Sequence, residues 1–346
     1  MSETENSPKK LRRIGVLTSG GDAPGMNAAV RAVVREALTN DVECVGIRRG
    51  YNGLINGDYY LMHGQEVSHI LSRGGTVLYT ARSDDFRTPE GRQRAVDVCR
   101  FLGLDGLVAI GGDGTFKGAL ELSRLGIPVI GVPATIDNDV GCSNYTIGFD
   151  TACNTAIECV DRLRDTMSSH ERCSIVEVMG RRAGFLALYV GISVGATAVL
   201  IPERELDFEK DVIEPIREAK FVGNTHFMLV VAEGVCMDEK FPGVHTVFDL
   251  GDKIKSEIGM KPTVTVLGHL QRGGKPTARD RETASRMGYR AVKALVEGRY
   301  NLIIGTQKGK IEEIPIEEAL EMKKTIQMER YYMLHDLQNR VPRHLR

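Results

Sequence analysis

The fold of this chain is decided near its start by the stretch Arg13-Ile-Gly-Val-Leu-Thr18, which runs directly into Ser19-Gly-Gly-Asp-Ala-Pro-Gly-Met-Asn27. The first of these segments is mostly apolar and predicts a short buried strand. The glycine-rich turn then leads into an Ala/Val/Arg-rich helix, predicted over about 27–39. A strand, a glycine turn and a helix in this order present backbone N–H groups to a phosphate at the helix N-terminus.

The same unit recurs further along the chain. Gly106-Leu-Val-Ala-Ile110 predicts a second strand, followed by the glycine turn Gly111-Gly-Asp-Gly-Thr115 and another helix. A third apolar run, 127–132, ends in the loop Pro133-Ala-Thr-Ile-Asp-Asn-Asp139. Open parallel sheets bind ligands beyond the carboxyl ends of their strands. Three such loops, rich in glycine and aspartate, therefore predict a site for phosphate and Mg²⁺.

The acidic loop carries the residues best suited to chemistry. In an extended segment alternate side chains share a face, so Thr135, Asp137 and Asp139 are expected to point the same way. Two carboxylates and a hydroxyl could hold a metal or remove a proton from a substrate hydroxyl. The alternative is an ordinary acidic turn, because Asp and Asn are common in loops. The seven residues alone do not decide between the two.

Composition sets the broad class of the protein. The 346 residues suffice for about two domains, and 42% hydrophobic with 26% charged residues is typical of a folded soluble chain. A formal net charge of -1 gives no reason to expect nucleic acid or an anionic membrane as a partner. The seven cysteines, an odd number without Cys-x-x-Cys or metal-ligand spacing, indicate reduced thiols in a cytoplasmic protein. Residues 1–12 are polar and predict a tail rather than a signal peptide.

One uncharged segment, Ala183 to Pro202, has about the length of a membrane-spanning helix. Glycine, serine and threonine interrupt it, and its composition shifts to Ala-Val-Leu-Ile just before Pro202. We therefore interpret it as a buried helix followed by a buried strand.

Strands and helices alternate through the rest of the chain, which predicts parallel α/β architecture. Further helices are expected at about 92–102, 151–168, 208–220, 247–258, 277–295 and from 317, with strands at 43–47, 174–178, 227–232 and 264–267. The predicted fold class is α/β, with two Rossmann-like three-layer α/β/α domains and largely parallel sheets.

Five motifs occur in an order that resembles the 6-phosphofructokinases, most of all the bacterial ATP-dependent type. They are Ser-Gly-Gly-Asp-Ala-Pro-Gly-Met-Asn, Gly-Gly-Asp-Gly-Thr, Thr-Ile-Asp-Asn-Asp, Met-Gly-Arg and Gly-His-Leu-Gln-Arg-Gly-Gly, and the resemblance extends from about Arg13 to Met322. It implies ATP-dependent phosphorylation of fructose 6-phosphate at its 1-hydroxyl, the committed step of glycolysis, with Mg²⁺ as cofactor. It also implies a cytoplasmic homo-oligomer, typically a tetramer with shared active sites. The expected domains are 13–148 plus 271–316 for the nucleotide and 149–270 plus 317–346 for the sugar phosphate.

The resemblance assigns roles position by position. Asp137 matches the base that accepts the proton of the 1-hydroxyl, Thr135 and Asp139 match its flanking partners, and Arg181 matches a residue that neutralises the transferring phosphoryl group. The ATP-binding positions are Gly21, Arg82, Ser83, Gly112, Asp113, Gly114 and Thr115, with Asp113 as the Mg²⁺ residue. The sugar-phosphate positions are Thr135, Asp137, Arg172, Met179, Gly180, Arg181, Glu233, His269 and Arg272. In that family Arg172 would reach into a neighbouring subunit's site.

Four of these residues also have a purely structural interpretation. Arg172 could cap a helix, His269 could be a hydrogen-bonded structural histidine, Glu233 could lie on the surface at a strand end, and Met179 could belong to the core. The complete motif set favours the functional interpretation for all four.

The chain departs from the family pattern at several positions. Thr263 stands where many members have an arginine that binds the phosphate of the sugar, called here the clamp arginine, and Lys261 is a candidate to supply the missing positive charge. Ser83 stands where the family usually has an aromatic residue near the adenine. The stretch 235–248 is longer than in the closest bacterial pattern.

The family's effector site is also altered. Arg31, Arg35 and Arg164 match its cations, and the replacements stand at Gly64, Thr197, Val222 and Asn224. We therefore expect the usual effectors, ADP and phosphoenolpyruvate, to act weakly or not at all.

Three other functions compete with this one. Pyrophosphate-dependent relatives usually carry aspartate at the place of Gly114 and lysine at the place of Ala134, and both residues are small here. A catalytically silent, metabolite-sensing subunit would have no need of the retained base. NAD kinase would explain the turn 111–115 but not the motif 268–274.

Overall fold

The computed structural model describes residues 11–338, which fold into two units. The first unit comprises the described residues up to Thr135 together with 140–148 and 274–324; the second comprises 136–139, 149–273 and the described residues from Thr325. These ranges differ from the predicted domains at three places, 136–139, 271–273 and 317–324. Of the polar tail predicted at 1–12, all but the last two residues lie outside the described part.

Up to residue 135 the chain alternates strands and helices. The elements are β1 (Arg13–Thr18), α1 (Met26–Thr39), β2 (Glu43–Ile47), α2 (Gly50–Asn56), β3 (Tyr59–Met62), α3 (Pro89–Phe101), β4 (Gly106–Gly111), α4 (Asp113–Arg124) and β5 (Val129–Pro133). Helix α3 begins before the predicted Arg92. The Thr88 hydroxyl accepts the N–H of Gly91, and Pro89 occupies the first helical turn, where its missing N–H costs no hydrogen bond.

The remaining elements alternate for the most part, but two helices or two strands follow each other at three places. They are α5 (Phe149–His170), β6 (Cys173–Val178), α6 (Phe185–Val194), β7 (Ala198–Leu200), α7 (Glu214–Phe221), β8 (Phe227–Ala232), α8 (Glu233–Met237), α9 (Val247–Ile258), β9 (Thr263–Val266), α10 (Ala278–Val296), β10 (Leu302–Gln307), β11 (Lys310–Pro315), α11 (Ile316–Glu321) and α12 (Met328–Leu337). The uncharged segment is a buried helix, α6, followed by a buried strand, β7, as predicted. Between residues 11 and 338 no helix is both long and apolar enough to cross a membrane.

Two helices differ from their predicted form. The mixed-charge helix predicted at 208–220 begins with a π-helical turn, Glu209–Ile213, before α7. Pro215 has no N–H to continue the regular hydrogen-bond ladder into that turn. The final helix predicted from Glu317 is two helices, α11 and α12, because the chain becomes extended at Met322.

The first unit is built on a seven-stranded sheet in the order β11-β10-β5-β4-β1-β2-β3. Strands β3 and β11, at the two ends of the sheet, are antiparallel to their neighbours, and the other pairings are parallel. One buried apolar cluster, which includes Leu17, Phe116 and Leu122, packs helices α3 and α4 against the sheet. Helices α1 and α10 pack against each other; α1 also contacts β1 and β2, and α10 contacts β5.

Strands β1, β4 and β5 are neighbours and run parallel to one another. Their carboxyl ends therefore share one edge of the sheet.

The second unit contains a four-stranded parallel sheet in the order β7-β8-β6-β9. Strand β8 is buried along its whole length, as expected for an inner strand of a parallel sheet. Strands β6, β8 and β9 end at one edge, where Met179, Glu233 and the turn after β9 follow them. The predicted fold class, α/β with largely parallel sheets, is confirmed.

Candidate active site

Three loops at the carboxyl edge of the first unit's sheet are joined by side-chain hydrogen bonds. The Thr115 hydroxyl donates to the carbonyl of Ser19 at 3.1 Å, which connects the two glycine turns. The Thr80 hydroxyl donates to the carbonyl of Gly20 at 2.6 Å. The loop that carries Arg82 is thereby held beside the first glycine turn.

The second glycine turn is closely packed at one position and open at another. A side chain at Gly111 would collide with the Thr115 hydroxyl and the Ser19 carbonyl, so only glycine allows the two loops to approach. A Cβ added at Gly114, by contrast, would meet no atom within 4 Å. Gly114 is therefore free of any packing role.

Helix α4 begins within this turn and gives it the character of an anion site. Gly112 precedes the helix in an extended conformation, and Asp113 is its first residue. The N-terminus of a 12-residue helix carries a partial positive charge, which favours an anion. Among the other predicted ATP residues, Gly21, Arg82, Asp113 and Gly114 are exposed, Gly112 and Ser83 are half-buried, and Thr115 is buried.

Thr135 lies beside the second glycine turn in the same unit. It follows β5, and its carbonyl accepts the Thr146 hydroxyl at 2.7 Å. A Cβ built on Gly112 would lie 3.8 Å from the Cβ of Thr135. The structure therefore brings Thr135 together with the predicted nucleotide loop.

Asp137 is a buried carboxyl surrounded by charges of the second unit. It is 8% exposed, and burial raises its pKa, as does the negative charge of Asp139. Arg272 lowers the pKa, Glu233 raises it and Arg181 lowers it, and together these effects bring the pKa of Asp137 from 3.8 to about 6. Five residues from four separate segments are thus brought together, and all five were selected from the sequence.

The loop after β6 is fixed through its backbone by two glutamates. Gly180 and Arg181 have φ of 135° and 57°, conformations that side-chain-bearing residues rarely adopt. The N–H of Arg181 donates to Glu233 Oε1 at 2.6 Å, and the N–H of Gly184 donates to Glu203 Oε1 at 2.8 Å. Glu233 is half-buried at the start of α8 and is not a free surface residue. These bonds hold a strained loop whose Arg181 side chain is exposed.

The turn after β9 is a 3₁₀ helix, Gly268–Arg272, whose residues differ in exposure. His269 is exposed rather than part of the core, and Arg272 is half-buried. Gln271 is fully buried between them; its Oε1 accepts the N–H of Met179 at 3.3 Å, and its Nε2 donates to the carbonyl of the turn's first residue at 3.0 Å. Met179 is half-buried.

Arg172 is not brought together with these residues in its own chain. It precedes β6, whereas Met179 follows that strand, and six strand residues span about 20 Å. The Arg172 side chain is exposed, and its backbone N–H bonds to the carbonyl of Met167 at the end of α5. Lys261 and Thr263 lie at the same amino edge, before and at the start of β9.

In the first unit, the two predicted effector cations lie on α1. Arg31 is half-buried, and Arg35 is exposed. Arg35 Nη2 donates to the carbonyl of Gly64 at 2.9 Å and to the hydroxyl of Ser68 at 3.1 Å. A Cβ at Gly64 would lie only 3.2 Å from Arg35 Nη1, so Arg35 occupies the space that a side chain at 64 would use.

In the second unit, the third predicted effector cation is similarly occupied. Arg164 donates to the carbonyl of Val194 at the end of α6. Thr197 is hydrogen-bonded through its backbone and its hydroxyl to Met228. A cavity of about 260 Å³ is lined in part by Thr197, Asn224 and the α12 residue Leu334.

Sequence reasoning missed three residues that support this machinery. Gln271 lies inside the Gly-His-Leu-Gln-Arg motif, so the motif pointed to it without giving it a role. Glu203 and Tyr51 carry no local signal. Tyr51 is buried, stacks on Phe86 with ring centroids 4.1 Å apart, and its hydroxyl donates to the carbonyl of Thr115 at 2.5 Å. Such contacts join residues far apart in sequence and appear only after folding.

The first unit offers a carboxylate, Asp113, that suits a Mg²⁺ ion bound together with substrate phosphates. In the part of the chain from 11 to 338, no group of three or more His, Cys, Asp or Glu could hold a metal unaided. Mg²⁺ commonly binds through one or two carboxylates, water and substrate phosphates. Asp113, an exposed carboxylate at a helix N-terminus suited to phosphate, provides such a ligand.

Two parallel α/β units, one with glycine turns at a helix N-terminus and one with a buried carboxylate among arginines, define a phosphate-transferring α/β enzyme. The chain belongs to the phosphofructokinase family, whose model matches residues 13–295. It is 48% identical over 327 residues to an ATP-dependent 6-phosphofructokinase of Shouchella clausii, covering 94% of this chain and 99% of that protein. An ATP-dependent 6-phosphofructokinase of Clostridium novyi is 49% identical over 321 residues, covering 93% of this chain and 98% of that protein.

Solved structures agree with this assignment. Phosphofructokinase from Saccharomyces cerevisiae superposes with a TM-score of 0.87 at 34% identity, covering 95% of this chain and 50% of that longer chain. A pyrophosphate-dependent phosphofructokinase from Marinobacter aquaeolei shares the fold, with a TM-score of 0.80 at 22% identity over 92% of this chain and 86% of that chain.

Proposed function

We propose that this chain is an ATP-dependent 6-phosphofructokinase, which transfers the terminal phosphoryl group of ATP to the 1-hydroxyl of fructose 6-phosphate. The observation that carries the proposal is Asp137, a buried carboxyl with a pKa of about 6 beside Arg272 and Arg181. A carboxylate base beside the cation of Arg181 suits phosphoryl transfer to a sugar hydroxyl, and Arg272 suits the phosphate that the sugar already carries. Relatives at nearly half identity over almost the whole chain are named for this activity.

Asp137 has the acidity of a useful general base. With a pKa of about 6 it is ionised at neutral pH, yet it holds a proton more tightly than an ordinary carboxylate. It accepts the proton of the 1-hydroxyl as that oxygen attacks the phosphorus atom. Thr135 and Asp139 flank it along the same loop, and Arg181 neutralises negative charge that develops on the transferring group.

The first unit supplies the nucleotide site. The N–H groups at the start of α4, with Gly112 and Thr115, bind the phosphates, and Gly21, Arg82 and Ser83 complete the site. Asp113 holds Mg²⁺, which when bound neutralises phosphate oxygens. Donor choice follows from Gly114, because an aspartate there would place a carboxylate against the inner phosphate of ATP.

The turn Gly268–Arg272 and the loop after β6 supply the sugar-phosphate site. Arg272 and His269 bind the 6-phosphate, while Met179, Gly180 and Glu233 contact the sugar. Arg172 lies at the opposite edge of its own sheet, so it acts in a neighbouring subunit's site. We therefore infer that the active protein is a homo-oligomer, and a cytoplasmic tetramer is the form that the family resemblance implies.

Classical effectors act weakly on this enzyme. Arg35 is bound to the carbonyl of Gly64, and Arg164 is bound to the carbonyl of Val194. An anionic effector would have to replace these bonds, and the neutral side chains of Thr197 and Asn224 would offer it neither a metal ligand nor a cation. Each missing charge-assisted hydrogen bond is worth about 1.5–3 kcal/mol.

A second candidate is the pyrophosphate-dependent reaction on the same fold. Gly114 and Ala134, both small, speak against it. A coupled assay with fructose 6-phosphate, comparing ATP, GTP and pyrophosphate as donors, tests the proposal. Turnover with ATP is expected. Turnover with pyrophosphate but not with ATP would favour the second candidate over the proposed function. No turnover with any of the three donors would indicate a silent sensing subunit.

A further inference from the structure

We infer that Gln271 is a positioning residue that fixes the catalytic loop after β6 and the phosphate-binding turn after β9 in one arrangement. The inference rests on the proposed function for its kinetic consequences, but its structural content is independent of the substrate. No reacting atom is assigned to Gln271, which acts through Met179, Arg181 and Arg272.

The side chain of Gln271 uses both ends of its amide. Its oxygen accepts the N–H of Met179, the first residue of the loop that carries Arg181, at 3.3 Å. Its nitrogen donates to the carbonyl of Gly268 at 3.0 Å, in the turn that carries Arg272. An amide is the shortest neutral group that can both accept and donate here. Serine and threonine are too short, and a carboxylate cannot donate.

Burial makes this pair of bonds consequential. Gln271 is fully buried, so its own amide depends on these two protein partners rather than on water. Its neighbours in the turn, His269 and Leu270, are exposed, so the turn is anchored at this position mainly by Gln271. A separate backbone bond, from the N–H of Leu267 to the carbonyl of Glu177, holds the start of the turn. Loss of the amide therefore loosens the turn without detaching it.

Loss of the Gln271 amide also affects the loop after β6, which carries Arg181. Arg181 has a left-handed φ of 57°, a strained conformation for a residue with a side chain, and such conformations persist only where surrounding bonds enforce them. On the β6 side of Arg181, the nearest such bond to a side chain is the one from the Met179 N–H to Gln271. Arg181 itself is held by the bond from its own N–H to Glu233. Without Gln271 the side-chain constraint on the β6 side of the loop is gone, and Arg181 and Arg272 no longer keep a fixed spacing around Asp137.

Gln271→Met tests this, because Met preserves length and volume while removing both hydrogen bonds. Ser174→Ala is the matched control. Ser174 is also buried in the second unit and donates to a carbonyl of β9, but at the amino edge of the sheet. We expect the Michaelis constant for fructose 6-phosphate to rise about tenfold or more in Gln271→Met and kcat to fall several-fold, with that for ATP within about twofold of the parent. A role confined to stability would lower the folded fraction, and with it apparent kcat, but would leave both Michaelis constants unchanged.

Hydrogen–deuterium exchange supplies a readout that needs no substrate. In Gln271→Met, amides of 179–184 and 268–274 should exchange faster together, while Ser174→Ala leaves both segments as in the parent. If Gln271→Met does not fold, Gln271→Asn takes its place, since its amide is one methylene too short to reach both partners. Parental exchange in both segments, or an unchanged Michaelis constant for the sugar in an active and folded variant, overturns the inference. A parent without phosphofructokinase activity overturns the proposed function instead, and the exchange result still decides the role of Gln271.

Discussion

Replacing Asp137 by Asn should abolish turnover and, at pH 8, make the protein more stable than its parent. Loss of the base is expected to lower kcat by several orders of magnitude, while the binding of sugar and nucleotide changes little. The gain in stability follows from the surroundings of Asp137, because burial and the charges of Asp139 and Glu233 oppose its ionisation more than Arg272 and Arg181 favour it.

The size of the gain in stability follows from the raised pKa of Asp137. A pKa raised from 3.8 to about 6 means that the folded state binds the proton more tightly than the unfolded chain. Stability therefore falls as pH rises through this window, and at pH 8 ionisation of Asp137 costs the fold about 3 kcal/mol. About half of that cost is already present at pH 5, so the advantage of Asp137→Asn over the parent should grow by roughly 1.4 kcal/mol between pH 5 and pH 8.

Urea unfolding of the parent and Asp137→Asn at both pH values measures this difference. Asp252→Asn, an exposed carboxylate on α9, is the matched control and should show little pH-dependent change against the parent. An advantage for Asp137→Asn that is the same at pH 5 and pH 8 would refute the reasoning, since it would show that Asp137 titrates normally. The activity of the parent should fall at acidic pH, with a midpoint near 6 in kcat/KM, which reports the pKa of the free enzyme.

Four further outcomes are expected. Gly114→Asp should fold as the parent does, because the space around it is open, but lose ATP turnover; normal turnover would mean that the nucleotide does not lie over this turn. Arg272→Ala and Arg172→Ala should each raise the Michaelis constant for fructose 6-phosphate with little effect on that for ATP, and a mixture of Arg172→Ala with an Asp137 variant should regain some activity if the two act across subunits. Lys261→Ala should weaken sugar binding if Lys261 compensates for the missing clamp arginine, and unchanged affinity rejects that idea. Titration of ADP and phosphoenolpyruvate at sub-saturating sugar should change the rate only weakly; strong inhibition relieved by Arg164→Ala would show a working effector site.

The elements that could be predicted from the sequence are those whose pattern is set by burial along the chain. Strand β4 is buried at every residue and was predicted almost to its end, and the uncharged segment 183–202 was correctly divided into helix and strand. Strands β3, β10 and β11 were missed. Strands β3 and β11 lie at the two ends of the sheet and are partly exposed. Strand β10 is an inner strand, but its apolar run, Leu302-Ile-Ile304, is only three residues long. The end of α11 also depended on distant contacts: Lys324 Nζ donates to the carbonyls of Ser143 and Asn144, which favours an extended chain there.

The site residues came from motifs, and the structure adds what motifs do not contain. Sequence proximity suggested that Asp137 and Asp139 act together, but the pKa of Asp137 depends on Glu233, Arg181 and Arg272, which come from three other segments. The same holds for Gln271, whose importance lies in a bond across 92 residues. A motif can indicate which residues form the site. The protonation state of Asp137 and the hydrogen bonds that position the loops depend on how the chain packs.

The open space around Gly114 has a consequence for the history of such enzymes. A residue without packing neighbours can change without a compensating change elsewhere, so selection at this position acts on the phosphoryl donor alone and not on folding. If the donor is chosen there, as we propose, a lineage could pass between ATP and pyrophosphate through a few substitutions while its scaffold stayed intact. The fold itself does not fix the donor, since a protein of the same fold at 22% identity is described as a pyrophosphate-dependent phosphofructokinase.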